Sequence, residues 1–145
     1  MWLQKSSLFA LYAVLELARA PDRQLATAEI AETYGISAHH LAKVMRTLVR
    51  AGLIQSVRGV GGGYRFAGNA ARTTLFDVIQ LFESLEPEVD PSLARAVGET
   101  PIGAALHAVN VEINQLALAT LRSITLKSLL KYAPGRGVEA TAARH

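Results

Sequence analysis

A chain of 145 residues is the size of one domain, or of a small domain with an appendage, and its 50% apolar content is enough to build a core. It has no cysteine, which excludes disulfides, thiolate metal sites and every cysteine-ligated iron–sulfur cluster. The net charge of +3 is modest but unevenly placed: no acid lies between Glu32 and Asp77, where Lys43, Arg46, Arg50, Arg58, Arg65 and Arg72 cluster, and Asp77, Glu83, Glu86, Glu88, Asp90 and Glu99 follow with only Arg95 against them. Such asymmetry points to a polyanion held by one part of the molecule.

The first predicted helix runs from Ser7 to Ala20, with Leu8, Leu11, Tyr12, Leu15 and Ala18 on one stripe and Pro21-Asp22 closing it. Its apolar run, Leu8 to Leu15, stops at Glu16 and is too short to span a bilayer. No signal-peptide layout precedes it, so the expected location is the cytoplasm, away from membranes. Trp2, beside Lys5, is expected to dock either on a partner chain or on nucleic acid. Gln24 to Ala26 is a short strand or linker, after which Thr27 is expected to cap a second helix whose Ile30, Ala31 and Tyr34 face the core.

Gly35-Ile36 then makes a tight turn into a third helix with Ser37 as N-cap. Leu41, Val44, Met45 and Leu48 recur at i, i+3, i+4 and i+7, one face of a helix; His39, Lys43, Arg46 and Arg50 fall on the opposite face. Gly52 follows as the residue able to take positive φ past the helix end. Two short strands, Leu53 to Val57 and Tyr64 to Ala67, flank a tip containing Gly59, Gly61, Gly62 and Gly63. Two helices around a glycine turn, then a two-stranded ribbon with Arg58 and Arg65 at its tip, have the spacing of a helix-turn-helix with a wing. The fold class is therefore mainly α: a winged helix-turn-helix domain with a two-stranded wing and a long C-terminal dimerisation helix.

Such a helix fits the major groove of double-stranded DNA, and the ribbon presses backbone amides and guanidinium groups onto phosphates or into the minor groove. The candidate DNA-binding set is Ser37, His39, His40, Lys43, Arg46, Arg50, Arg58, Gly61, Gly62, Tyr64 and Arg65, with Tyr64 first a wing-packing residue. The glycine tip does not read as a nucleotide cradle, because no Gly-Lys-Ser/Thr follows it and a strand comes next. Adjacent His39 and His40 do not converge on one ion, so no metal is expected.

Thr74-x-x-Asp77 has the spacing of a capping box, and Leu75, Val78, Ile79 and Phe82 carry a fourth helix to near Pro87. Residues 86–100 read as an exposed acidic loop with one helical turn at Ser92 to Val97. Thr100-Pro101 opens a long helix from Ile102 to Leu121, roughly 30 Å in length. Ile102, Leu106, Val109, Ile113, Leu116 and Thr120 make one stripe and Val111 and Leu118 a second, so one side is expected to pack on its own domain and the other on a second copy of the chain. His107 is expected to lie far from titratable groups. A short helix capped by Thr125 follows, then a tail from Pro134 expected to be flexible. The organisation is thus 1–85 winged domain, 86–100 loop, 101–132 dimerisation helix and short helix, 133–145 tail. No catalytic constellation is read: there is no G-x-S-x-G and no H-E-x-x-H, and the acids from Glu83 to Asp90 are expected in an exposed loop, so no enzyme is expected.

The run LVRAGLIQSVRGVGGGYRFA closely resembles the signature of the Rrf2 family of bacterial winged-helix regulators, the group of the iron–sulfur cluster regulator, the nitric-oxide-sensing repressor and the cysteine-metabolism repressor. LFALYAVLELA, Ile30-Ala31-Glu32, Thr74-Leu75-Phe76-Asp77-Val78-Ile79 and Ile124-Thr125-Leu126-Lys127-Ser128-Leu129-Leu130 fit as well, so the match covers about residues 1 to 132. The resemblance implies a homodimer on a palindromic operator, the long helix forming the interface, the helix after Ser37 reading bases and Arg58 entering the minor groove. Two departures qualify it. Some members carry a glutamate and a serine where this chain has Ala42 and His39, so the operator is not inherited. Members with a cluster hold it through cysteines in the loop after the fourth helix, sometimes helped by first-helix acids or histidines; here residues 86–100 have no cysteine and Leu8 and Tyr12 are not ligands, so no cofactor is expected. The expected function is a dimeric transcription regulator of the repressor type, with an unknown small-molecule or protein effector. The alternatives are a module that binds protein or double-stranded RNA, and a sensor holding a small ligand or haem through His107 or Tyr12.

Overall fold

The computed structural model describes residues 3–59 and 61–133; Trp2 and the expected tail beyond Ala133 lie outside them. The element order is α1 (Lys5–Arg19), α2 (Thr27–Tyr34), α3 (Ala38–Arg50), β1 (Ile54–Val57), β2 (Gly63–Phe66), α4 (Leu75–Ile79), α5 (Ala94–Glu99), α6 (Pro101–Ser123) and α7 (Leu126–Leu130). The mainly helical winged fold expected from the sequence is present.

The hub is α1. It packs on α2, α3, α4, α7 and β2, and buries Ser7, Ala10, Leu11, Ala13, Val14, Leu17 and Ala18. The alanines let neighbouring backbones come close while the leucines fill the spaces between them. Its N-cap residue, Gln4, supplies no side-chain cap. Instead the Glu83 carboxylate accepts from the Gln4 amide at 2.8 Å and from the Ser7 hydroxyl at 2.5 Å, an anion placed where the helix dipole favours one. Glu83 was expected in an exposed loop; the structure makes it a half-buried cap, because it meets the orphan donors of α1.

Helix α2 begins one residue earlier than expected, at the residue assigned as its cap. Thr27 is its first helical residue, Ala26 is the N-cap, and the Glu29 carboxylate accepts from the Ala26 amide at 2.7 Å. Gly35 ends it at φ 63°. The wing pairs antiparallel, Ile54 opposite Phe66 through Val57 opposite Gly63, and Leu25 adds a third short edge by exchanging amide–carbonyl bonds with Tyr64 at 3.0 and 2.8 Å.

Helix α4 is shorter than expected. The Thr74–Asp77 capping box opens it as expected, with Thr74 N–H donating to Asp77 at 2.9 Å and Asp77 N–H to Thr74 at 3.1 Å. After Ile79 the backbone tightens into i to i+3 bonds at Leu81 and Phe82, which swings Glu83 toward α1 and ends the helix well before Pro87. The acidic loop carries its helical turn as α5, two residues later than expected, and α5 lies along α6.

Helix α6 is 23 residues, about 35 Å. Its Thr100 hydroxyl accepts from the Gly103 amide at 3.0 Å, and Pro101 occupies the first turn. The two stripes separate as anticipated. Val111 and Leu118 are half-buried and Leu121 buried on the domain side, where Asn114 donates to the Leu85 carbonyl at 3.1 Å. On the other side Ile102, Leu106, Val109, Ile113 and Leu116 are 54–76% exposed. Helix α7, opened by Thr125, returns to the core through Leu126, and its Leu126 and Lys127 amides donate to Thr73 and Ala70.

Candidate nucleic-acid interface

The apolar face of α3 is buried: Leu41, Val44, Met45 and Leu48 join the same core as α1. The periodicity that buries these four turns His39, Lys43, Arg46 and Arg50 outward, and all four are exposed. The Ser37 hydroxyl accepts from the His40 amide at 3.3 Å, setting the helix start. Among the described residues the ion pairs are Arg19–Glu16 and Arg95–Glu99, so the cations of α3 and the wing carry no acid partner there. An exposed cationic face of this kind attracts a polyanion from a distance and releases its counterions on contact.

His40 departs from the expected base-reading set. Its Nε2 lies 3.0 Å from the Ser6 hydroxyl on α1, and its ring meets Phe9 edge-on at 5.0 Å. A side chain tied to α1 in this way fixes the angle at which α3 leaves the core and is turned from the outward stripe. His39 is the exposed histidine of the pair.

In the wing, Arg58 is exposed where β1 enters the tip, and Gly61 adopts φ 76°, a backbone setting that side chains resist. Gly62 has a different constraint, since a Cβ there would meet the Val57 carbonyl oxygen at 2.7 Å. Arg65 is half-buried opposite Gln55, and Tyr64 packs against the core while its backbone pairs with Leu25. Tyr64 is therefore wing structure, as the sequence suggested, with its backbone committed. Gln55 and Ser56, exposed on β1, are polar neighbours of the arginines that the sequence reading passed over, because a strand of four residues gives too little alternation to single them out. Arg72, exposed in the turn before α4, extends the cationic stretch.

His107 is not remote from titratable groups. It lines a recess of about 330 Å³ with Glu88 and Asp90, between the acidic loop and α6. The Ser92 amide and hydroxyl both donate to Asp90, at 2.8 and 2.6 Å, and hold its carboxyl below the usual carboxylate range. Among the described residues no three of His, Asp and Glu come together to hold a metal ion.

Residues 3–132 match the model of the Rrf2 family, described as iron-dependent transcriptional regulators. The protein named HTH-type transcriptional regulator BadM, from Rhodopseudomonas palustris, is 50% identical over 151 aligned positions, covering 100% of this chain and 95% of its own. Among solved structures, CymR, the global cysteine regulator of B. subtilis, superposes with a TM-score of 0.77 at 27% identity over 92% of this chain and 99% of its own. T. potens IscR gives 0.64 at 26% identity over 100% of this chain and 92% of its own. The iron of the family description finds no matching donor set here: the chain has no thiolate, and the described histidines and acids do not converge.

Proposed function

The chain belongs to the Rrf2 family of transcriptional regulators, and from that premise we propose that it works as a homodimeric repressor that reads a palindromic operator without an iron–sulfur cluster. The observation that carries the reading is α3 itself: one face sealed in the core, the other offering His39, Lys43, Arg46 and Arg50 to solvent beside a wing tipped by Arg58. In this mechanism Lys43, Arg46 and His39 meet base edges in the major groove. The Ser37 end of α3, Arg50, Arg65 and the glycine amides of the tip anchor phosphates, and Arg58 enters the adjacent minor groove. His40 serves by holding α3 to α1.

Residues 1–85 form the reading head and α6 the dimer contact. The exposed stripe from Ile102 to Leu116 supports that role, because a contiguous apolar face of this length in water favours a second copy of itself. Two heads related by a twofold axis would contact half-sites about one helical turn apart and occlude a promoter. The setting is the cytoplasm; no described helix is long and apolar enough to cross a membrane.

Selection of bound sequences from random duplex DNA tests the whole reading. The expected outcome is an inverted repeat whose half-site centres are separated by about 10 base pairs or a multiple of that, with affinity falling steeply as salt rises. No enriched sequence together with a flat salt response would overturn it in favour of a protein-binding module.

A further inference from the structure

Away from the cationic face, a recess of about 280 Å³ opens between α1, the last residue of α2 and the end of α7. Its walls include Tyr12, Leu15, Glu16, Arg19, Tyr34 and Leu129. The Tyr12 and Tyr34 rings stack with centroids 4.5 Å apart and planes 6° from parallel. The Tyr34 hydroxyl donates to Glu16 Oε1, and the Arg19 guanidinium lies 3.1 Å from Glu16 Oε2.

This network leaves an unequal remainder. Both oxygens of the Glu16 carboxylate are engaged, and that side chain is only 18% exposed. Arg19 is 43% exposed and meets Glu16 as an ion pair through one terminal nitrogen of its guanidinium. Among the described residues, the hydrogen-bonding capacity left at the rim is thus that of a guanidinium donor, while the wall beside it is aromatic and aliphatic. Burial, then the bond to Glu16, pushes the Tyr34 hydroxyl far above its ordinary range, so the phenol stays neutral and does not repel an anion.

We propose that this recess binds a small aromatic carboxylate, its ring against the tyrosine and leucine wall and its anion on Arg19, and that occupancy changes the affinity for DNA. The position supplies the coupling. Tyr34 is the residue before the Gly35 turn that launches α3, and Leu129 belongs to the segment that follows α6 directly. A ligand wedged there joins the start of the reading head to the end of the long helix. The proposal rests on the regulator reading above and names its effector class.

Isothermal titration of the full chain with phenylacetate, indole-3-acetate, 2-phenylethanol and hexanoate tests it, with and without an operator duplex. At least one aromatic acid should bind about tenfold or more tightly than the alcohol and than hexanoate, the difference expected for a charge-assisted pair added to a ring contact. The operator should change the acid's Kd by the same factor as the acid changes the operator's. Arg19→Gln should abolish the preference for acid over alcohol, Arg19→Lys should keep part of it, and Tyr12→Leu should weaken the acid without altering the salt slope of DNA binding; thermal melts establish that each variant is folded. No saturable heat from either acid, or a preference that survives Arg19→Gln, overturns the site. Acid binding that leaves operator affinity unchanged overturns the effector role. Operator binding with no acid binding removes this inference alone, whereas acid binding by a protein with no DNA affinity leaves the recess standing and removes the regulator reading.

Discussion

Ser6 and His40, 34 residues apart in sequence, meet through a 3.0 Å hydrogen bond that ties α3 to α1. Phe9 reinforces the tie from the same side of α1. His40→Ala should therefore cost about 1–2 kcal/mol of folding stability in urea denaturation, while His39→Ala should stay within about 0.5 kcal/mol. Operator affinity should fall in the opposite order, with the larger loss at His39. A double-mutant cycle with Ser6→Ala should return a coupling of about 0.5–1.5 kcal/mol. A His40→Ala protein of undiminished stability that loses base discrimination would restore His40 to the reading surface.

Arg58 and the α3 cations should separate by the kind of loss they produce. Arg58→Ala should weaken operator binding by about 1–3 kcal/mol, because a groove contact is removed along with a charge. Lys43→Ala and Arg50→Ala should each reduce the slope of log affinity against log salt by about one, as expected when one cation leaves the contact surface and fewer counterions are released. The measurement is a salt series of binding isotherms on operator and random duplexes. Unchanged slopes in both lysine and arginine variants would take this face out of the interface.

Gly63 is required by packing. A Cβ there would sit 2.5 Å from the Leu25 carbonyl oxygen, inside the pair of bonds that dock Leu25 on Tyr64. Gly63→Ala should cost about 1–3 kcal/mol and detach that edge of the wing. Gly98 in α5 is the control, since a Cβ there meets nothing within 4 Å. Gly98→Ala should be neutral or stabilising by about 0.4–1 kcal/mol. Parallel urea melts decide between them.

The glycine tip illustrates where sequence reading stopped. A run of glycines reads as a flexible turn, and Gly61 does take positive φ, but the demands at Gly62 and Gly63 come from the Val57 and Leu25 carbonyls across the fold. Local signals were legible: the 3.6-residue rhythm of α3, the Ser37 cap, the Thr74–Asp77 box and the Thr100-Pro101 opening all depend on residues within one turn of each other. The inward set of His40 depends on Ser6 and Phe9, and the early end of α4 on Glu83 reaching the α1 N-terminus, and no periodicity encodes either. Thr27 lost the cap to Ala26 because Glu29 satisfies the Ala26 amide from inside the helix.

Tyr34 should give the protein an alkaline limit. Its hydroxyl is raised far above the ordinary tyrosine range, first by burial, then by its bond to Glu16 and the charge of that carboxylate. The unfolded chain releases this proton near about pH 10 while the folded chain retains it. The stabilisation is therefore complete below the unfolded value and is lost as pH rises toward the folded one. Absorbance titration of the phenolates should show the Tyr34 step delayed until the fold opens, and Tyr34→Phe should flatten the fall in stability above about pH 10. An unchanged alkaline slope in that variant would place its cause elsewhere.

The outward stripe of α6 decides whether the molecule acts as a pair. Leu106 and Ile113 are 66% and 60% exposed although they lie inside the 23-residue α6, while Leu121 near its far end is buried against its own domain. A twofold axis across this stripe makes the contact isologous, residue i of one copy meeting residue j of the other and j meeting i, so a single substitution acts twice in the assembly. Ile113→Glu would place two uncompensated carboxylates in an apolar contact, a penalty of about 3–5 kcal/mol or more. Light scattering should then report a monomer at micromolar concentration where the parent protein is a dimer, with circular dichroism unchanged because the residue is not part of the domain core. Operator affinity should drop to that of a single half-site. A variant that remains dimeric would move the contact off α6, and a parent protein that is monomeric at every concentration would leave the half-site spacing without a cause.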